Sequence, residues 1–280
     1  GAERLPPLSP APAVAAVSEN PVRISLAVQA DAPFTLRAHR IFFPGWQVYV
    51  DGQPVETYPS GQLGLVTASL PAGAYSATIE FSQTPVRRVA DALSIVALAG
   101  LVTLVWPRRR RLEQGLVFLG LVLLLAFGLT NFAANRQRAN QPVSAAVNFQ
   151  DQLRLVGYML PKTTFHQGEE IRLRIYWLVQ QSPLVNYKVF LHLAQLDDSG
   201  KVAQADSEPM LGYSPMTRWE AGQLVTDEHR LVLEEPVPPG RYRFLLGVYD
   251  EATMHNLLVQ DAPLVLPGDR VVLTEVEIIE

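Results

Sequence analysis

The 280-residue chain contains no cysteine. That removes disulfide staples, thiolate zinc sites, iron–sulfur clusters and cysteine nucleophiles, and leaves the redox compartment unreadable. Charge is scarce as well, at 18% of residues against about 25% in an average soluble domain. The net charge of −4 supplies no basic field, and no basic patch suited to a phosphate backbone stands out, so no nucleic-acid partner is expected. The chemical fingerprints GxSxG, GxGxxG, HExxH and the P-loop are all missing. His39, His166, His192, His229 and His255 are scattered, with no pair at the i, i+4 spacing by which a helix grips a metal. Asp197, Asp198, Asp206 and Asp250 could feed a calcium site between loops, although Asp-rich turns usually serve the turn itself. No catalytic residue, metal or cofactor is therefore expected of this chain.

Hydrophobic residues, by contrast, make up 48% of the chain. Ala92 to Trp106 is uncharged, and with Val89, Ala90 and Asp91 the stretch reaches eighteen residues. At about 1.5 Å per residue that covers ~27 Å, just enough for a hydrocarbon core of ~30 Å. A second run, Gly115 to Ala134, carries no charge in twenty residues. Both are expected to span a membrane, over residues 87–107 and 115–134. Between them Arg108, Arg109, Arg110 and Arg111 lie in a short loop, residues 108–114, which the positive-inside rule places in the cytoplasm with both flanks outside. Arg87 and Arg88 at the start of the first span and Arg136 and Arg138 after the second equal that number, so density within the loop decides the orientation. Neither span has the position of a signal peptide, and residues 1–21 lack an apolar core. This first segment is expected to be flexible, with a leader upstream of Gly1.

Residues 22–86 read as short strands. Tyr75, Ala77, Ile79 and Phe81 alternate with Ser76, Thr78, Glu80 and Ser82, the period of a half-buried strand. Asp51-Gly52 is a two-residue hairpin signal, and Pro71-Ala72-Gly73 turns the chain into Tyr75. After a polar linker at 135–146 the strand pattern resumes over 147–280, where Ile171, Leu173, Ile175 and Trp177 alternate with Arg172, Arg174 and Tyr176. The fold class is mainly β: two antiparallel β-sandwich domains, the larger Ig-like or jelly-roll, joined by a two-helix transmembrane hairpin. Val237-Pro238-Pro239-Gly240-Arg241-Tyr242 echoes Leu70-Pro71-Ala72-Gly73-Ala74-Tyr75, read as convergent turn chemistry.

Pro44-Gly45-Trp46, Val50-Asp51-Gly52 and Leu70-Pro71-Ala72-Gly73, followed at once by an apolar span, resemble the C-terminal region of YfhO-like bacterial membrane proteins. Those are similar to GT-C-type glycosyltransferases, which use lipid-linked sugar donors. The resemblance implies an extracytoplasmic sandwich and a place in the cytoplasmic membrane. It does not extend to catalysis, because the acidic loops of that family have no counterpart here. Leu155-Val156-Gly157-Tyr158, Tyr176-Trp177, Trp219-Glu220-Ala221-Gly222 and Gly247-Val248-Tyr249-Asp250 resemble C-terminal extracytoplasmic modules attached to such transferases.

Aromatic rings that stack on sugars are the natural ligand candidates. Trp219, in a loop bracketed by charges, comes first, followed by Trp46 and Tyr213, while Trp177 is assigned to the core. The expected function is a membrane-anchored, non-catalytic extracytoplasmic region of a YfhO-like protein in cell-envelope glycan assembly or binding. Its expected partners are the lipid bilayer, other transmembrane helices of a glycosyltransferase-like protein, and glycan or lipid-linked sugar. The alternatives are a fragment of a GT-C-type transferase whose catalytic residues lie upstream of Gly1, and an envelope adhesion protein.

Overall fold

The computed structural model describes residues 7–280, except 21, 62, 83, 85, 101–141, 234, 235 and several positions between 87 and 99. The first half contains β1 (Ala13–Asn20), β2 (Arg23–Ala30), β3 (Phe34–Ile41), β4 (Trp46–Val50), β5 (Gln53–Val55), β6 (Thr57–Ser60), β7 (Leu65–Leu70) and β8 (Gly73–Phe81). The second contains β9 (Val143–Phe149), β10 (Leu153–Met159), β11 (Thr164–His166), β12 (Glu170–Val179), β13 (Tyr187–Gln195), β14 (Lys201–Ser207) and β15 (Gln223–Val232). It closes with β16 (Gly240–Asp250), β17 (His255–Asn256), β18 (Val259–Gln260), β19 (Val265–Leu266) and β20 (Arg270–Ile279). The mainly β class expected from the sequence is what the structure shows.

Local chemistry accounts for several of these elements. In β2, Ile24, Leu26, Val28 and Ala30 are buried while the intervening residues are more open, as period-two patterning requires. Asp51 and Gly52 both take positive φ, 47° and 78°, and close the β4–β5 hairpin. The two echoing turns have one geometry. Tyr75 Oη donates to the Pro71 carbonyl and Tyr242 Oη to the Pro238 carbonyl, each at 2.7 Å, with Gly73 and Gly240 at φ 130° and 155°. In each turn the tyrosine ties its strand back to the turn that launched it.

Three sheets stack in layers: β1-β2-β8-β4-β5, then β18-β9-β10-β12-β15-β3-β7-β6, then β11-β20-β16-β13-β14. The middle sheet corrects the expectation of two separate sandwiches. β3 pairs in parallel with β15, Arg37 opposite Gln223 and Ala38 opposite Leu224, and the Arg37 amide donates to the Gly222 carbonyl at 2.8 Å. The reason lies in β12. Ile171, Leu173, Ile175, Trp177 and Val179 fill the core between the second and third sheets. Tyr176 and Leu178, on the opposite face, join Val156, Met159 and Leu224 in the core of the first half. A strand apolar on both faces needs cover on both.

Two boundaries also shift. β1 lies within the segment expected to be flexible, because Val14 and Ala16 alternate into the first core. The expected linker at 135–146 overlaps β9, which begins at Val143. The span at 115–134 and the Arg108–Arg111 loop lie outside the described residues, as does most of the span at 87–107. Among the described residues no helix is long and apolar enough to cross a membrane.

Candidate functional site

Where the two halves meet, they frame an open cleft of about 520 Å³. Its floor is Glu19, at the end of β1, whose side chain is only 2% exposed. A buried carboxylate is costly unless its oxygens are bonded, and here both are. Arg40 of β3 donates to Oε1 at 2.8 Å, and the Tyr176 hydroxyl of β12 donates to Oε2, with Arg174 Nη1 at 3.7 Å from the same oxygen. Burial and the adjacent Glu19 carboxylate push the Tyr176 hydroxyl far above its ordinary range, so it remains a proton donor at all physiological pH.

The rim is different. Arg174 and Glu228 face each other across the β12–β15 ladder at 3.7 Å, and Arg230 lies 3.4 Å from Glu170 and 3.9 Å from Glu228. These separations exceed the roughly 2.7–2.9 Å of a charge-assisted hydrogen bond. Arg174, Glu228 and Arg230, which line the cleft, therefore keep unused donor and acceptor capacity beside a solvent-open space, whereas Glu170 accepts from Arg172 at 3.2 Å on both oxygens. That is a lining suited to a hydroxyl-rich ligand that both gives and takes hydrogen bonds.

A second bridge ties the halves together away from the cleft. Arg37, with a side chain 3% exposed, donates to Glu220 and, at 2.9 Å, to Ser60 Oγ. Ser144 Oγ donates to the Ala16 carbonyl at 2.7 Å, joining β9 to β1.

One arrangement escaped the sequence reading. Ser207 Oγ lies 2.7 Å from His229 Nδ1, and His229 Nε2 lies 2.6 Å from Asp227 Oδ2. Asp227 also accepts from the Met210 amide at 2.7 Å and from Trp177 Nε1 at 3.2 Å. The carboxylate beside Nε2 orients the imidazole so that Nδ1 faces the serine hydroxyl. The series Ser-His-Asp has the members of a nucleophilic triad, but with the ring nitrogens exchanged, since in a triad Nε2 faces the serine and Nδ1 the carboxylate; Asp227 and His229 are 0% and 1% exposed. Asp227 spends its oxygens on holding the loop before β15 and the core tryptophan, so the group acts as an internal clamp. The signal was present in Val225, Asp227, His229 and Leu231, four successive inward positions of one strand, two of them polar.

The ring candidates fare unequally. Trp219 is 2% exposed and packed in the larger core, with its Nε1 donating to Ser214 Oγ at 2.9 Å, which corrects its expected placement in an exposed loop. The flanking charges misled, because Arg218 turns outward and Glu220 turns in to meet Arg37, while the loop folds its ring under. Trp46 is half-buried, edge-on to Phe81 at 5.4 Å. Tyr213 is 86% exposed, in the same loop as Met210, which lines the cleft. Trp177 is fully buried, as assigned, edge-on to Phe149 at 5.5 Å. The structure does not bring Trp46, Tyr213 and Trp219 into one site, and Arg108–Arg111 lie outside the described residues.

On the outer face of the third sheet His192 stacks on Phe190 at 4.5 Å. Burial, reinforced by Lys201, lowers its pKa to about 4 against the opposing pull of Asp206. Among the described residues no group of three or more His, Asp or Glu side chains could hold a metal ion.

No family model and no curated protein matches the sequence. Among solved structures, the C-terminal domain of wzt is similar over 49% of this chain and 78% of its own, at 10% identity and a TM-score of 0.36. A glycosyl hydrolase family 2 member from Bacteroides cellulosilyticus aligns with 85% of this chain and 26% of its own, at 6% identity and a TM-score of 0.25. A family 2 beta-glucuronidase aligns with 87% of this chain and 24% of its own, at 7% identity and a TM-score of 0.25. At scores this low neither fold nor function is carried over from them.

Proposed function

We propose that the chain is a membrane-anchored, non-catalytic β platform on the outer side of a bacterial cytoplasmic membrane, holding envelope glycan in the cleft floored by Glu19. The observation that carries this reading is where the chain leaves and re-enters the layered body. β3 and β15 run the same way, and the far end of β15, Val232, pairs with Glu170 at the start of β12. β10 returns antiparallel to β12, and its Tyr158 pairs with Val143, the first residue of β9. Val143 thus lies at the end toward which β3 runs. From Ile41 a short loop reaches Trp46, which pairs with Phe81, the last residue of β8.

The chain therefore departs and comes back at one end of a body whose halves share a sheet and a core. The intervening sequence holds two uncharged stretches with four arginines between them. Two crossings with the arginines inside return the chain to the side it left, which a single crossing cannot do. A glycosyltransferase-like membrane protein using a lipid-linked sugar donor is the companion this arrangement would serve.

The chain has no native cysteine, so single cysteines report topology directly. In intact cells a membrane-impermeant maleimide should label Ser199→Cys and spare Arg109→Cys until the membrane is opened. Labelling of Arg109→Cys in intact cells, or protection of Ser199→Cys, contradicts the reading. Glycan-array binding by the anchored chain, reduced at least tenfold by Arg230→Ala with Glu228→Ala, would assign the ligand to the cleft. Unchanged binding in that variant would remove it from the cleft.

A further inference from the structure

At the end where the chain leaves β8, three large apolar side chains stand in the open: Ile41 at 68% exposure, Phe43 at 65% and Leu63 at 63%. They are not scattered. Leu65 pairs with Ile41, the Phe42 amide donates to the Gly64 carbonyl at 2.8 Å, and the Trp46 amide donates to the Phe43 carbonyl at 3.0 Å. The Ser82 amide donates to the Gly45 carbonyl at 2.7 Å, which fastens these loops to the point of departure. No charged residue occurs from Ile41 to Val50 or from Thr57 to Leu70. Beyond the exit, Val86, Val89 and Leu93 are helical and 79%, 60% and 65% exposed, leading toward the uncharged run that ends at Trp106.

We infer that the 41–46 and 61–64 loops are a membrane-seated tip, in which Ile41, Phe43 and Leu63 enter the headgroup and upper acyl region while Trp46 sits at the interface. The inference rests on the anchoring proposed above and adds to it how the body is held against the bilayer. A tip without charge, carrying aromatic rings and fastened at Ser82 to a segment whose Arg87 and Arg88 precede an apolar run, matches the interfacial belt of membrane proteins. A clustered apolar patch calls for an occupant, whereas single exposed apolar residues do not. The occupant that the adjoining sequence brings to this place is lipid, because the chain fastened to the tip at Ser82 runs past Arg87, Arg88 and Asp91 into the uncharged stretch from Ala92 to Trp106.

The test uses the full chain reconstituted in vesicles of phosphatidylcholine and phosphatidylglycerol at 3:1, with an environment-sensitive fluorophore on Phe43→Cys or on Gln53→Cys. Gln53 is exposed at the start of β5, opposite Val50 and so at the far end of β4, whose four steps from Trp46 span about 13 Å at roughly 3.3 Å per residue. Resistance to alkaline carbonate extraction is scored separately and reports the anchoring alone. A blue-shifted probe at position 43, quenched by nitroxide lipids at least threefold more than the probe at 53, is expected. If the chain resists extraction and both probes report water, the seated tip is wrong and the anchoring stands. A blue shift at 43 without lipid quenching also overturns it, in favour of a protein partner on this patch. Loss of the chain to the carbonate supernatant defeats the anchoring and the tip together.

Discussion

Glu19 is one of the links between the two halves, because its buried carboxylate joins β1 to Arg40 of β3 and to Tyr176 and Arg174 of β12. Replacing it with Ala leaves the buried Tyr176 phenol and the Arg40 guanidinium without their acceptor, and leaving such a group unsatisfied costs about 1–3 kcal/mol. Urea denaturation of Glu19→Ala should show that loss, while Arg230→Ala on the rim should stay within about 0.5 kcal/mol of the parent. His192 adds a pH dependence. Its folded pKa of about 4 lies below the ordinary 6.5, so between those values the unfolded chain takes up a proton that the folded chain refuses. Its contribution is complete above about pH 6.5 and is lost as pH falls toward 4. The melting temperature should drop between pH 7 and pH 4.5, and His192→Gln should show a smaller drop. An equal drop would assign the acid sensitivity to other groups, His39 among them, since burial and Arg40 lower it too. Such residue-scale facts were scarcely legible in the sequence. Glu19 looked like part of a flexible segment, and Trp219 looked exposed because its neighbours are charged.

At the scale of elements, much was legible. The alternation of β8, the Asp51-Gly52 hairpin and the matched proline-glycine turns follow from local rules that tertiary context does not override. What local rules do not contain is a partner for the second face of β12, where Tyr176 and Leu178 interrupt an otherwise simple alternation. Close approach of β10 to β1 depends on a missing side chain. A Cβ at Gly157 would lie 3.0 Å from the Ala16 Cβ and 3.1 Å from the Val143 carbonyl oxygen, and both contacts belong to other strands. Gly157→Val should therefore cost about 1–3 kcal/mol by overpacking and should loosen β1 and β9 first. Hydrogen exchange would show this as faster exchange of the β1 and β9 amides than in the parent. Adding Ala16→Gly should recover part of the loss and not all of it, since the clash with the Val143 backbone remains.

For the whole molecule, the consequence of the shared sheet is topological. Residues 13–81 and 143–279 are hydrogen-bonded through β3 and β15, packed through one core and joined by Glu19 and Arg37, so they cannot stand on opposite sides of a membrane. Sequence alone could propose two bodies and a hairpin, because strands and apolar runs are local patterns. It could not show that the bodies are one, because Arg37 and Gln223 meet only after the chain has folded. The most direct measurement is to place a specific protease site at Arg108–Arg111, cut the purified chain in detergent and follow both fragments by size-exclusion chromatography. A single continuous sheet requires them to elute together as a 1:1 pair, separating only when denatured or when Glu19→Ala and Arg37→Ala are combined. Two fragments that part on cutting, each folded by its own circular dichroism, would contradict it.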